Sequence, residues 1–266
     1  MNLLERKMLD VLKSLRDNYG VIAIKAEFEA EGTRIDELMR LVDIVRKLNV
    51  KLGIKIGGCE AMKDLMECKQ IGTDYIIAPM VETEYALKKY IDAKNKIFDK
   101  EERDATNFLI NIETKTSTDN LEKFVTTNNA YEDSDKINGW VFGRVDYTLS
   151  CGLERDDIND SEEITDAVIN VAKSAKKNNL DLVVGGGVSV DSVDILKRVN
   201  EVRLDRFETR KVIFSSEALG IKNLGEGMLQ AINFELLWLK NKKNYYGSIF
   251  SEDDKRIKML SDRWNV

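Results

Sequence analysis

Two short apolar runs in this chain each end abruptly in a carboxylate. NFLINIE closes on Glu113, and GWVFGRVD closes on Asp146. Runs of this length, rich in Ile, Val, Phe and Trp and followed by polar turns, read as buried parallel strands. Strand alternation predicts that Leu109, Asn111 and Glu113 share one face, and that Phe142, Arg144 and Asp146 share another. Acids at the carboxyl ends of neighbouring parallel strands face a common mouth, where α/β folds keep their chemistry. Such a pair suits Mg²⁺ (or Mn²⁺), because Mg²⁺ takes one or two carboxylates and fills its remaining positions with water and substrate oxygens. The structural alternative is that both acids are caps or loop residues at strand ends.

Other charged residues fall near the same predicted mouth. Lys25, Glu27 and Glu29 share a face if the first strand stays extended past its end. Lys25 is then placed to meet a substrate oxyanion, and Glu27 or Glu29 to transfer protons or hold a cation through water. Charges inside a barrel mouth are costly unless paired, so a Lys25–carboxylate ion pair is the competing account. Arg144, two residues before Asp146, either neutralises a substrate acid or bridges Glu113. The glycines 185–187 follow a strand and precede a helix, which suits phosphate binding by backbone N–H groups or, with slightly more weight, close packing alone. FETRK (207–211) reads as a salt-bridged face.

The elements that must position these groups alternate along the chain. Residues 3–18 carry Leu3, Leu4, Met8, Val11, Leu12 and Leu15 at helical spacing, and Gly20 stops that run. Strands are predicted near 21–27, 51–58, 73–81, 107–113, 139–146, 181–187 and 210–214. Helices are predicted between them, including 34–49, about 60–70, a Thr83-capped helix, a weaker one over 120–130, and 164–179. The remainder, 216–266, reads as a helical extension in two parts. Strand–helix alternation with short connections is the pattern of a parallel sheet. Seven strands fit a (β/α)₈ barrel of the TIM type, α/β in class, with one strand short, irregular or missing near a terminus. The organisation expected is a single barrel domain over 1–266, preceded by the 1–20 helix and ending in the 216–266 extension. A doubly wound sheet is disfavoured, since no strand precedes a glycine-spaced dinucleotide loop.

Composition narrows the function classes. The net charge of −6 argues against a nucleic-acid or anionic-membrane partner. No apolar run approaches the roughly 20 residues of a membrane span, and no signal-peptide core is evident. Cys59, Cys68 and Cys151 lack metal-ligand spacing and read as reduced thiols of a cytoplasmic protein. Histidine is absent altogether, which excludes Ser–His and Cys–His triads and any imidazole base.

Taken in order, IKAEFEAEG, IKIGG, IIAPMVETEYAL, INIET and VFGRVDYTLSCG resemble the HpcH/HpaI aldolase and citrate lyase β-subunit family, within the phosphoenolpyruvate/pyruvate barrel superfamily. The resemblance implies that Glu113 and Asp146 hold a divalent cation. It puts Lys55 where that family carries a carboxylate-binding arginine, with Gly57 and Gly58 beside it at the substrate. Glu82 lies in a segment similar to a non-ligating one of the family and is the lesser candidate for the ligand. The chain departs from the pattern in three places. It lacks the aldolase branch's histidine, it has a point charge at Lys55 instead of a guanidinium fork, and only a helix precedes Val21 where the family has its first strand. The implied activity is a Mg²⁺-dependent carbon–carbon lyase or aldolase working through an enolate on a 2-oxo acid or an acyl-thioester-like substrate. Phosphoenolpyruvate-type P–C chemistry, a Schiff-base aldolase using Lys25, Lys55 or Lys211, and a catalytically silent ligand- or partner-binding barrel remain as alternatives. The cluster Phe234, Leu236, Leu237 and Trp238 predicts a subunit boundary in a homo-oligomer.

Overall fold

The computed structural model describes residues 1–264. Its chain winds through β1 (Val21–Glu27), β2 (Lys51–Lys55), β3 (Tyr75–Ala78), β4 (Asn107–Ile112), β5 (Gly139–Gly143), β6 (Asp181–Gly185), β7 (Arg206–Glu208) and β8 (Val212–Ser215). These eight close into a barrel in sequence order. The helices are α1 (Leu3–Tyr19), α2 (Ile35–Lys47), α3 (Met62–Ile71), α4 (Glu84–Ile97), α5 (Lys100–Ala105), α6 (Lys115–Asp119), α7 (Leu121–Asn129), α8 (Arg144–Ser150), α9 (Glu162–Lys177), α10 (Val193–Asn200) and α11 (Leu224–Trp264). None of the described helices is long and apolar enough to cross a membrane.

Side-chain parity builds two cores from each strand. In β4, Phe108, Ile110 and Ile112 turn out to meet the helices, while Leu109 turns in and packs with Ile77, Val141 and Val183. A second inner layer joins Ala23, Tyr75 and Ile213. The barrel is therefore filled below its mouth, and polar residues at the strand ends lie over an apolar floor.

The irregular strand is the eighth. β1 to β7 run parallel, but β8 pairs antiparallel with both β7 and β1. As read from the sequence, only a helix, α1, precedes Val21, and the gap between β7 and β1 is closed from the C-terminal side. Antiparallel neighbours need only a tight turn, and here Thr209 N–H donates to the Val212 carbonyl at 2.9 Å. That turn stands at the mouth, where a parallel strand would have brought a strand-to-helix loop. β7 is only three residues long, too short to show a period, which is why the sequence showed seven strands.

Two further differences matter. The C-terminal segment is one helix of 41 residues, not two parts. Its Phe234, Leu237 and Trp238 are buried within this chain, where α11 lies along α1, so only Leu236 of the expected boundary cluster is exposed.

Candidate active site

Glu113 follows directly on β4, and strand parity carries it inward behind Asn111. The Asn111 side-chain amide donates to Glu113 Oε2 at 2.6 Å, and Met80 N–H donates to Oε1 at 2.9 Å. Met80 adopts a left-handed backbone at φ 50° to make that bond, a conformation that costs an L-residue roughly 1–2 kcal/mol. Gly143, on the neighbouring β5, leaves the space that Glu113 fills: a Cβ there would stand 2.9 Å from Oε2. Glu113 is 2 % exposed. Burial pushes its carboxyl up from the ordinary value and the Asp146 charge adds to this, against the opposing pull of Lys55 and the two hydrogen bonds.

Asp146 reaches the same cavity by a different route. β5 ends at Gly143 and α8 begins at Arg144, so strand alternation stops three residues before the acid. Phe142 faces outward into the helix layer, and the first helical turn, not the pleat, swings Asp146 to the mouth. The expectation that Phe142, Arg144 and Asp146 share one strand face therefore fails. Arg144 turns away entirely and is fully buried. Its guanidinium donates to the carbonyls of Gly186 (3.2 Å) and Gly187 (3.1 Å), to Asn159 Oδ1 (3.0 Å) and to Ser192 Oγ (2.8 Å). It neither bridges Glu113 nor lines the cavity, so the expected catalytic position of Arg144 is corrected to a structural one. Burial lowers its pKa to about 10.

The cavity at the mouth has a volume of about 300 Å³. Lys25, Glu27, Lys55, Glu113 and Asp146 all line it, as the sequence led us to expect. Lys25 pairs with Glu208 Oε1 and lies 3.4 Å from Glu27. Burial works to lower the Lys25 pKa, but these two carboxylates outweigh it and hold the ammonium charged. Lys55 lies 2.9 Å from Glu29 and 3.8 Å from Glu113, and the same balance raises its pKa against burial.

Glu29 thus reaches the site by pairing with Lys55. Gly57 and Gly58 do not line the cavity, and the Gly57 N–H is taken by Asp64 at 2.7 Å. Their expected substrate contact is therefore not seen. Glu82 lies outside the cavity and accepts from the Thr114 hydroxyl at 2.7 Å.

Sequence reasoning missed Glu208, Arg210 and Arg155. Glu208 lines the cavity from β7, and Gly185 makes room for it, since a Cβ there would stand 3.0 Å from Glu208 Oε1. The glycine run is thereby explained by close packing. Arg210, on the β7–β8 turn, pairs with Glu31 at 3.0 Å and lies 3.8 Å from Glu27. FETRK is indeed salt-bridged, but it faces the mouth. A larger cleft of about 460 Å³ lies outside the barrel between α1, α2 and α11. Its Glu5 is already engaged by Arg40 and Asn241.

Among the described residues no three acid, cysteine or histidine side chains gather as a metal cluster. The Glu113–Asp146 pair nevertheless fits a hard divalent cation. Two carboxylates are the usual protein share of a Mg²⁺ shell, and the Asp146 charge adds to the cost of ionising the buried Glu113.

The fold is a closed α/β barrel of the TIM type with carboxylates and lysines gathered at its mouth. The profile of the HpcH/HpaI aldolase/citrate lyase family matches residues 24–203, so the chain belongs to that family and is a carbon–carbon lyase or aldolase by class. No curated protein sequence matches the chain. Solved structures share the fold at low identity. An HpcH/HpaI aldolase from Desulfitobacterium hafniense DCB-2 aligns with a TM-score of 0.62 at 11% identity, over 79% of this chain and 84% of that one. An HpcH/HpaI aldolase/citrate lyase family protein from Burkholderia cenocepacia J2315 aligns at 0.56 and 11% identity, over 88% and 100%. RipC from Yersinia pestis aligns at 0.51 and 15% identity, over 76% and 88%.

Proposed function

We propose that this enzyme makes or breaks a carbon–carbon bond next to the keto group of a 2-oxo acid or of a related acyl-thioester-like substrate, with Mg²⁺ or Mn²⁺ held by Glu113 and Asp146. One observation carries the reading: two acids that follow the carboxyl ends of the adjacent parallel strands β4 and β5 line one cavity, and Glu113 is buried there at an electrostatic cost that a cation would relieve. Bound there, the cation supplies a Lewis acid for the negative charge that develops on the substrate's keto oxygen.

The chain's own residues do the rest. Lys55 offers an ammonium to the substrate carboxylate beside Glu113. Lys25, kept charged by Glu208 and Glu27, offers a second donor where an oxyanion forms. Glu27, in turn, is a carboxylate within reach for proton transfer, a role an imidazole cannot fill in a chain without histidine. A Schiff-base route fits the site less well. It needs a neutral amine, whereas Lys25 and Lys55 are held protonated, and the buried Lys211 is paired with Glu31 away from the cavity.

The same reading takes the enzyme as cytoplasmic, with a small-molecule substrate and no nucleic-acid or membrane partner, and as a homo-oligomer. The deciding test is calorimetric Mg²⁺ titration of the wild type and Asp146→Asn, with unchanged affinity counting against the site.

A further inference from the structure

The cavity is lined by equal numbers of acids and bases, four of each. Three of the four cations are paired: Lys25 with Glu208, Lys55 with Glu29, and Arg210 with Glu31. Arg155 is the fourth. It is exposed, lines the cavity, and has neither an ion pair nor a side-chain hydrogen bond among the described residues.

Its backbone, by contrast, is firmly placed. Arg155 opens the 3-10 turn Arg155–Ile158, whose Ile158 packs so closely on Gly187 that a Cβ there would come within 2.9 Å. The next residue, Asn159, is held by the buried Arg144 guanidinium at 3.0 Å and by Ser192 at 3.2 Å. Arg144 is therefore a positioning residue for the segment that carries Arg155. Beyond the glycine turn stands Arg210, which the antiparallel β8 brings to the mouth on a tight hairpin. Glu31 takes its Nε edge and leaves the half-exposed guanidinium with open donors.

We propose that Arg155 and Arg210 form a clamp for a second anionic group of the substrate. The substrate class is then a 2-oxo acid bearing a further carboxylate or phosphate-like group, which rests on the function proposed above. The pairing agrees: of the four cations lining the cavity, Arg155 alone has no carboxylate partner among the described residues. A guanidinium is also the group best shaped to grip a carboxylate or phosphoryl fork.

The test is calorimetry on the full chain in Mg²⁺ with three probes. Pyruvate carries one anionic group, 2-oxoglutarate adds a carboxylate, and phosphonopyruvate adds a phosphonate. The wild type should bind one or both of the latter more tightly than pyruvate, and which one names the group. Arg155→Ala should weaken that probe about 10- to 100-fold, as loss of charge-assisted hydrogen bonds does, and leave pyruvate unchanged. Arg155→Lys should recover part of the loss. Arg210→Lys should lower the same preference, with thermal melts checking that its ion pair with Glu31 survives. Pyruvate binding without preference, or equal loss for all probes, overturns the clamp and leaves the 2-oxo acid reading standing. Failure of the wild type to bind any probe overturns both.

Discussion

Gly143 and Glu113 are complementary across the β4–β5 pair: the hydrogen in place of a side chain on one is the room in which the carboxylate of the other lies. A methyl at Gly143 would stand 2.9 Å from both Cβ and Oε2 of Glu113. Gly143→Ala should therefore cost about 1–3 kcal/mol of stability, as overpacking does. It should also displace Glu113 and weaken Mg²⁺ binding by tenfold or more. Denaturant melts and metal titration on the same protein would show it, and a variant with wild-type metal affinity would contradict the role given to this glycine.

Replacing Asp146 by Asn keeps the shape and removes one charge. Mg²⁺ affinity should fall sharply, because a hard cation depends on carboxylate charge, and lyase turnover should fall with it. Stability without metal should stay level or rise. The Glu113 carboxyl is pushed up by burial and by Asp146, so ionising it costs folding energy as pH rises through the ordinary carboxylate range, and the variant should lessen that loss. A large drop in stability would mark Asp146 as structural.

Arg144→Met should behave in the opposite way. It strips partners from Asn159, Ser192 and two glycine carbonyls, so we expect a loss of about 2–5 kcal/mol. Arg144→Lys should rescue little, since one ammonium cannot serve that spread of acceptors. Pyruvate affinity per folded molecule should be retained. Selective loss of pyruvate binding at full stability would instead place this guanidinium on the substrate.

Lys94 supplies a pH test away from the site. Burial first, and then the charge of Arg103, lower its pKa to about 7, although its ammonium can still meet the Phe108 ring and Asn95. Between about pH 7 and its ordinary value near 10.5 the unfolded chain binds a proton here that the native state has released. Stability from this group should therefore rise with pH across that window. Lys94→Met should flatten the rise and be the more stable protein at pH 6, by about 1–3 kcal/mol. Parallel pH–stability curves for the two proteins would contradict this.

Assembly is the remaining test. Leu229, Ile232, Leu236 and Leu239 are exposed along α11 at alternating spacings of three and four residues, the pattern of a helix–helix seam. Putting glutamate at both Leu236 and Leu239 should lower the mass seen by light scattering to that of one chain while leaving the far-ultraviolet spectrum intact. A wild type that already scatters as one chain at micromolar concentration would sink the proposal.

Much of this protein is written in local pattern. The longer helices of the barrel wall, seven of the strands and the inward face of Leu109, Asn111 and Glu113 follow from periodicity, because 3.6- and 2-residue repeats are properties of the backbone. What periodicity could not decide was where one repeat hands over to the other. Asp146 comes to the mouth on a helical turn, and the same switch sends Arg144 inward to hold the loop of Arg155. Three-residue β7 carries no detectable period, so Glu208 was invisible as a site residue. The direction of β8 was invisible for a deeper reason. Apolar runs read alike in either direction, and only closure of the barrel between β7 and β1 makes Val212–Ser215 run antiparallel and lifts Arg210 to the mouth. Sequence alone determined the acids and the barrel; tertiary closure decided which cations stand around them.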